Sequence, residues 1–435
     1  MDNSSRLRVQ MNDGIDMISG LPDPILTHVL SFLPTKEAVR TCVLSKRWTN
    51  MWASVPVLNF DLKEFGIGYS DFKLEDYETY IHRGNEFENP SNEYDDPRPL
   101  FEWFLHGVLE NREPLHLDSL QFRWGPDGGS RRVSMNWLDD IVLLMPREIS
   151  VFIWKHPCPD FPDSVFSCAS LEIFKLIVDN VPKELLSPKS ISLPSLKVLH
   201  LGGQVLTDDF MKSLFLGCPV LEDLDLDECV LAVSEISSNA LKKLVINSFN
   251  FNYYDQIQIS CPGLLSLVVS SLGPTLFLKN VASLVNAYIS LEDCDDFKFL
   301  SSLFNVTTLS LTLPFYRIKD LLEKDFPKCQ PFTNLKCLEF KFRRISHFRL
   351  IIYLLKHSPN LQKFTLYLHE LFYIDGKEED LNQKEPGVAL FQREYLEMIT
   401  IVKPKYRESI EEDQLQALVI KLRAHVKNIG MLSII

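Results

Sequence analysis

CPVLEDLDL, residues Cys218 to Leu226, carries Leu221, Leu224 and Leu226 in the order L-x-x-L-x-L behind a Cys-Pro lead-in. The alternation over its second half is that of a short strand, with Leu224 and Leu226 turned inward and Asp223, Asp225 and Asp227 outward. The same lead-in and spacing return in CPGLLSLVV at Cys261 and SPNLQKFTL at Ser358. Working outward in both directions, the first position of each unit falls at Leu117, Pro146, Leu171, Leu196, Leu221, Leu241, Leu264, Leu284, Val306, Leu335 and Leu361. Successive differences are 29, 25, 25, 25, 20, 23, 20, 22, 29 and 26. No such unit can stand alone, but a stack of them buries a continuous core and sets the outward side chains on one concave sheet.

Differences of this size are those of leucine-rich repeats, here divergent in spacing and without the usual asparagine. The outward positions are Val198 and His200, Asp223, Asp225 and Asp227, Lys243 and Asn247, Asn286, Tyr288 and Ser290, and Thr308, Ser310 and Thr312. A long open face of this kind suits the binding of macromolecules more than the enclosure of a reaction. The three aspartates in line suit a basic or hydroxyl-rich target segment at its middle; a plain solvated patch is the alternative.

A different pattern occupies Leu21 to Trp52, LPDPILTHVLSFLPTKEAVRTCVLSKRWTNMW. Asp23 as cap and Pro24 at the first position predict a helix whose apolar side is Ile25, Leu26, Val29, Leu30 and Leu33. Thr35 is expected to cap a second helix, and Ser45 a third carrying Trp48, Met51 and Trp52. Three helices this short cannot bury all these apolar groups against one another, and the stretch holds one cysteine and no metal-ligand cluster as a staple. A partner protein is then the expected cover; a helical cap on the following repeats is the alternative.

The ordered set Leu21-Pro22, Leu26, Leu30, Phe32-Leu33-Pro34, Val43-Leu44-Ser45, Lys46-Arg47-Trp48 and Trp52 closely resembles the F-box of plant proteins. From about Phe332 the chain resembles the FBD region that follows the repeats in many of them, through Asn334-Leu335-Lys336-Cys337-Leu338-Glu339-Phe340 and Leu354 to Leu361. The expected fold is α/β: a short N-terminal three-helix F-box, then a curved leucine-rich-repeat solenoid with a C-terminal FBD cap. The expected divisions are a disordered terminus over 1–15, the F-box over 16–61, a linker with an acidic loop and a capping helix over 62–114, repeats over 115–331 and the FBD region over 332–435. The acidic loop is Asn85–Pro99, the capping helix is expected over Phe101–Leu109, and a last helix over Glu411–Lys427.

The resemblance implies a substrate-recognition subunit of a Skp–cullin–F-box (SCF) ubiquitin ligase. It would dock on a Skp-type adaptor, and through it on cullin and a RING protein, while the repeats hold an unknown target protein. The residues expected to dock are Leu21, Pro22, Ile25, Leu26, Val29, Leu30, Leu33, Val43, Trp48 and Trp52. Asp223, Asp225 and Asp227 are the expected target contacts. The alternative is an adaptor-binding scaffold or ligand sensor that does not direct ubiquitination.

Composition narrows the partners. The 435 residues are 46% hydrophobic and 24% charged, and 58 acidic against 45 basic residues give a net charge of -13. That balance argues against general phosphate-backbone binding, and RRISHFRL at Arg343–Leu350 reads as isolated cations on a solvated helix. Nine cysteines without a C-x-x-C pair suggest reduced, mostly buried thiols and a cytosolic or nuclear protein. The sequence shows no signal-peptide run and no membrane-length apolar stretch, so no membrane association is expected. Neither EDCDD at Glu292–Asp296 nor the aspartate strand has the turn glycine of a calcium loop, and GPDGGS at Gly125 lacks the lysine of a phosphate cradle. No catalytic residue, metal or cofactor is expected, and Cys218 and Cys261 read as buried small residues at one repeat position.

Overall fold

The computed structural model describes residues 18, 20–65, 98–125, 134–154, 161–179, 187–247, 256–272, 275–291, 298–312, 330–344, 348–373, 391–392, 396–403, 412–427 and 431–435. The expected disordered terminus, most of the acidic loop, the glycine-rich turn after Gly125 and Glu292–Asp296 lie outside these residues. The chain divides into two compact units, Met1–Gly128 and Gly129–Ile435.

In the first unit, helices α1 (Asp23–Leu30) and α2 (Thr35–Arg40) follow the two expected apolar patterns. Both begin at their expected caps, one residue earlier than expected. Asp23 and Thr35 are the first helical residues, Pro22 and Pro34 precede them in extended backbone, and neither helix has a side-chain cap. The third expected helix is absent as an α-helix. In its place are the single 3₁₀ turns Thr41–Val43 and Met51–Ser54, joined by hydrogen-bonded turns such as Trp48 N–H to Ser45 C=O at 3.0 Å.

Strand β1 (Val57–Asp61) then pairs in parallel with β2 (Ser119–Trp124), Phe60 opposite Phe122. Between them in sequence, helix α3 (Arg98–Asn111) starts inside the stretch expected to be loop and lays Phe101 against Phe60, Phe122 and Trp124 at ring separations of 6.5, 5.8 and 5.7 Å. Edge-on aromatic packing of this kind adds to plain area burial.

The second unit is built on parallel strands in chain order: Glu148–Trp154, Ile173–Asp179, Val198–Gly202, Asp223–Asp227, Lys243–Asn247, Ser266–Leu272, Asn286–Leu291, Thr308–Thr312, Cys337–Arg344, Lys363–Tyr373, Met398–Val402 and Met431–Ile434. Each expected repeat start from Pro146 to Leu361 falls two residues ahead of its strand, as Leu117 does ahead of β2. At most of these starts the reason is a turn in which the amide of the starting residue bonds the carbonyl three residues back, as in Leu221 to Cys218 at 3.2 Å, Leu264 to Cys261 at 3.1 Å and Leu361 to Ser358 at 3.4 Å; Leu241 bonds the Ser238 hydroxyl instead, and Pro146 has no amide hydrogen. Proline suits the second position of such a turn. The small leading residue is buried, with Cys218, Cys261 and Ser358 no more than 2% exposed.

Unit length decides what returns behind the sheet. The 25-residue step from Leu196 to Leu221 holds helix Asp208–Gly217, and the 26-residue step from Leu335 to Leu361 holds helix Phe348–His357. The steps of 20 to 23 residues between Leu221 and Leu284 return instead through Glu235–Ser237, Gln256–Ser260 and Thr275–Lys279, which form a second parallel sheet. A strand covers about 3.3 Å per residue against 1.5 Å for a helix, so short units can close only in extended form. Helix Asp208–Gly217 is capped by Thr207, whose hydroxyl accepts from Phe210 N–H at 3.3 Å. It ends at Gly217, where a Cβ would meet the Ile191 carbonyl oxygen at 2.1 Å. The expected last helix is present over Glu412–His425.

Candidate functional site

Each unit presents one face. In the first, Leu26, Leu30, Ala38, Trp48, Met51 and Val55 form a buried cluster with Leu21, Trp52 and Val57 packed against it. Helical spacing explains Leu26 and Leu30, which lie on the inner side of α1, whereas Ile25 and Val29 lie on the outer side, 47% and 48% exposed. Leu33 and Val43 are exposed as well, Val43 at 83%. The expected docking set therefore divides. Leu26, Leu30 and Trp48 are interior, Leu21 and Trp52 lie at the rim, and Pro22, Ile25, Val29, Leu33 and Val43 face outward.

Within Leu21–Trp52 two further large apolar side chains face solvent, Phe32 at 74% and Leu44 at 65%. Both stand just past a helix end, after Leu30 and Val43. Helical periodicity assigns no face there, and the available signal was their place in the ordered motif. Phe32 is steadied by an edge-on contact with His28 at 5.0 Å. The two ends of the motif are tied by Arg47, whose guanidinium binds Asp23 Oδ1 from Nε at 3.0 Å and from Nη2 at 2.5 Å and also reaches the Leu21 carbonyl. Asp23 is thus taken up by Arg47, not by the helix end it was expected to cap.

In the second unit, in-register pairing aligns the outward side chains into rows. One row runs Lys175, His200, Asp225, Val245, Val268, Tyr288, Ser310; the next runs Ile177, Gly202, Asp227, Asn247, Ser270, Ser290, Thr312. At the start of the strands a third row alternates in charge: Arg147 to Glu172 at 2.9 Å, Glu172 to Lys197 at 2.8 Å, and Glu222 to Lys242 at 2.6 Å. Asp223 is paired with Lys243 at 3.1 Å and Glu148 with Lys175 at 3.2 Å.

The three expected target contacts are therefore unequal. Asp223 is matched by a lysine, while among the described residues Asp225 has His200 alone within ion-pair distance, with Nε2 to Oδ1 at 3.9 Å and no hydrogen bond at either atom, and Lys243 attracts it from farther off. Burial pushes the Asp225 carboxyl up, against the pull of His200 and with the repulsion of Asp227. Among the described residues no group of three or more His, Cys, Asp or Glu side chains is placed to hold a metal ion. None of their helices is long and apolar enough to cross a membrane. Burial pushes the thiols of Cys218 and Cys229 up to about 12 and raises that of Cys261, which makes them poor nucleophiles near neutrality.

Comparison with known proteins agrees with both patterns. The F-box domain model matches residues 18–60, and the model described as FBD-associated F-box protein At5g56370, LRR repeats, matches 135–275. F-box/FBD/LRR-repeat protein At4g00160 of Arabidopsis thaliana is 30% identical over 376 residues, covering 84% of this chain and 75% of its own. F-box/FBD/LRR-repeat protein At5g22660 and FBD-associated F-box protein At5g56370, from the same plant, are 26% identical, covering 93% and 95% of this chain and 87% and 89% of theirs. F-box domains bind Skp-type adaptors, and an F-box joined to repeats is the make-up of a protein-interaction adaptor. The chain belongs to the plant F-box/FBD/LRR-repeat protein family.

Proposed function

We propose that this protein is the substrate-recognition subunit of an SCF ubiquitin ligase, working in the cytosol or nucleus. The F-box, over 16–61, docks on a Skp-type adaptor; the repeats from 115, completed by an FBD region over 332–435, hold a target protein. The chain performs no chemistry itself. Its contribution is proximity, holding a target where a separate charged enzyme can reach its lysines.

The observation that carries this reading is the exposed apolar set Ile25, Val29, Phe32, Leu33, Val43 and Leu44 on a helical unit too small to leave so much uncovered without a partner. Pro22 faces outward with it, Leu21 and Trp52 stand at its rim, and Leu26, Leu30 and Trp48 hold it from beneath. Truncating one central anchor of such a face costs on the order of 2 kcal/mol in affinity.

The test is co-expression of the full chain with a Skp-type adaptor, cullin and RING protein. The complex should assemble with wild type and fail with a Leu21→Ala, Pro22→Ala variant that still folds. Assembly without turnover of any captured protein would favour the scaffold instead. No assembly with wild type would overturn the proposal.

A further inference from the structure

On the outward face of the first five strands of the second unit most charges are paired, and where they are not is specific. Lysines and arginines of the first five strands of the second unit and their entry turns are matched: Arg147 and Lys197 by Glu172, Lys175 by Glu148, Lys242 by Glu222 and Lys243 by Asp223. Among the described residues neither Asp225 nor Asp227 has a lysine or arginine within ion-pair distance, although Lys243 attracts Asp225 from farther off, in a protein that is already acidic. Asp225 is an incomplete ion pair, since His200 Nε2 and Asp225 Oδ1 face each other at 3.9 Å, shielded from water and without a hydrogen bond. A carboxylate held partly desolvated favours an incoming donor over bulk solvent. Its side chain is 28% exposed, so a donor can reach it from the open side.

Along the same row the face changes character. Asp225 is followed by Val245, Val268 and Tyr288 on successive strands, the tyrosine 39% exposed. Beside them run Asn247, Ser270 and Ser290, amide and hydroxyl groups suited to a passing backbone. The row thus offers a negative end, an apolar floor and an aromatic stop. Strands lie about 4.8 Å apart, so the three steps from Asp225 to Tyr288 span about 14 Å. An extended chain covers that in about four residues.

We propose that this row binds an extended segment of the target protein carrying a lysine or arginine over Asp225 and Asp227 and an apolar side chain about four residues away against Tyr288. The inference deepens the target-binding half of the proposed function and does not depend on the adaptor. A second copy of this chain is a poor occupant, because two chains of net charge -13 repel and each would bring another unpaired Asp225 and Asp227 instead of a cation. The same sign excludes a nucleic acid backbone.

The test captures short peptides of otherwise random sequence, with one lysine fixed at the centre, on the immobilised full-length chain. Bound peptides should be enriched in aromatic or branched aliphatic residues about four positions from the lysine. Asp225→Asn with Asp227→Asn should lower capture about tenfold, and Glu222→Gln should leave it unchanged. Tyr288→Ser should remove the apolar preference and keep the dependence on lysine. Where loss of capture could reflect misfolding, Asp227→Lys decides: it should instead capture peptides with a fixed central glutamate. Equal capture of lysine and glutamate peptides by wild type, or undiminished capture by the double variant, would overturn the proposal. Adaptor co-purification on the same preparation keeps the outcomes separate, because it can fail while peptide selection persists.

Discussion

Thr35 Oγ1 accepts a hydrogen bond from the Asn59 backbone N–H at 2.7 Å. The threonine is 5% exposed, so the first residue of α2 anchors the first strand of the parallel pair from inside the unit. Thr35→Val keeps the shape and leaves a buried N–H without a partner, which costs about 1–3 kcal/mol. Thr35→Ser should retain most of the stability. Chemical denaturation of the two variants, with amide exchange at Asn59, checks the difference.

The division of the F-box residues into interior and exterior gives a second expectation. Leu26 is 1% exposed inside the cluster with Leu30, Trp48 and Met51, so Leu26→Ala should cost about 2–5 kcal/mol. Val43, on the outside, should tolerate Val43→Ser within about 0.5 kcal/mol. Urea midpoints at constant slope are the measurement, and comparable losses for both would contradict the division.

Glu64 gives the first unit a pH dependence. Burial, then repulsion from Asp61, lifts its carboxyl from 4.5 to about 7, against the attraction of Lys36. The Lys36 ammonium is itself held by the Glu64 backbone carbonyl and by the Phe65 ring, 4.1 Å from the centroid. The folded state keeps a proton that the unfolded chain gives up, so stability should fall as the pH rises from about 4.5 to 7. Glu64→Gln should flatten that slope, as read by denaturation midpoints across the window.

Cys218 and Cys229, each with its thiol pushed up to about 12, should resist maleimide at pH 8 in the folded protein and react on unfolding. Their thiolate fraction there is about one in ten thousand. Rapid labelling of either in the native chain would reopen a thioester role, and mass spectrometry after brief exposure reads it.

How much was legible in the sequence follows from where side-chain period and chain geometry coincide. Repeat starts were readable because most of the starting residues sit in one kind of turn, at a fixed distance from the strand. The return strands at Gln256–Ser260 and Thr275–Lys279 were not named, although the short steps around them already left no room for helices. Strand β1 was absorbed into the end of the F-box, because VLNFD is too short for its alternation to stand out. Within the F-box, the apolar period found α1 and α2 but merged their two sides, so Leu26 and Val29 entered one docking set though they face opposite ways. Phe32 and Leu44 escaped because they lie where the helical period stops. The pairing of Asp223 with Lys243 joins residues 20 apart in sequence, and only the strand register makes them neighbours.

On the proposed function, the outward apolar set of the F-box binds a Skp-type adaptor. The most direct measurement is adaptor affinity, by calorimetry, for wild type, Phe32→Ala and Val43→Asp, each first shown to match the wild-type denaturation midpoint. Both variants should stay folded and lose about tenfold or more in affinity, the range of a truncated hot-spot anchor. Unchanged affinity in both folded variants would contradict binding through this set.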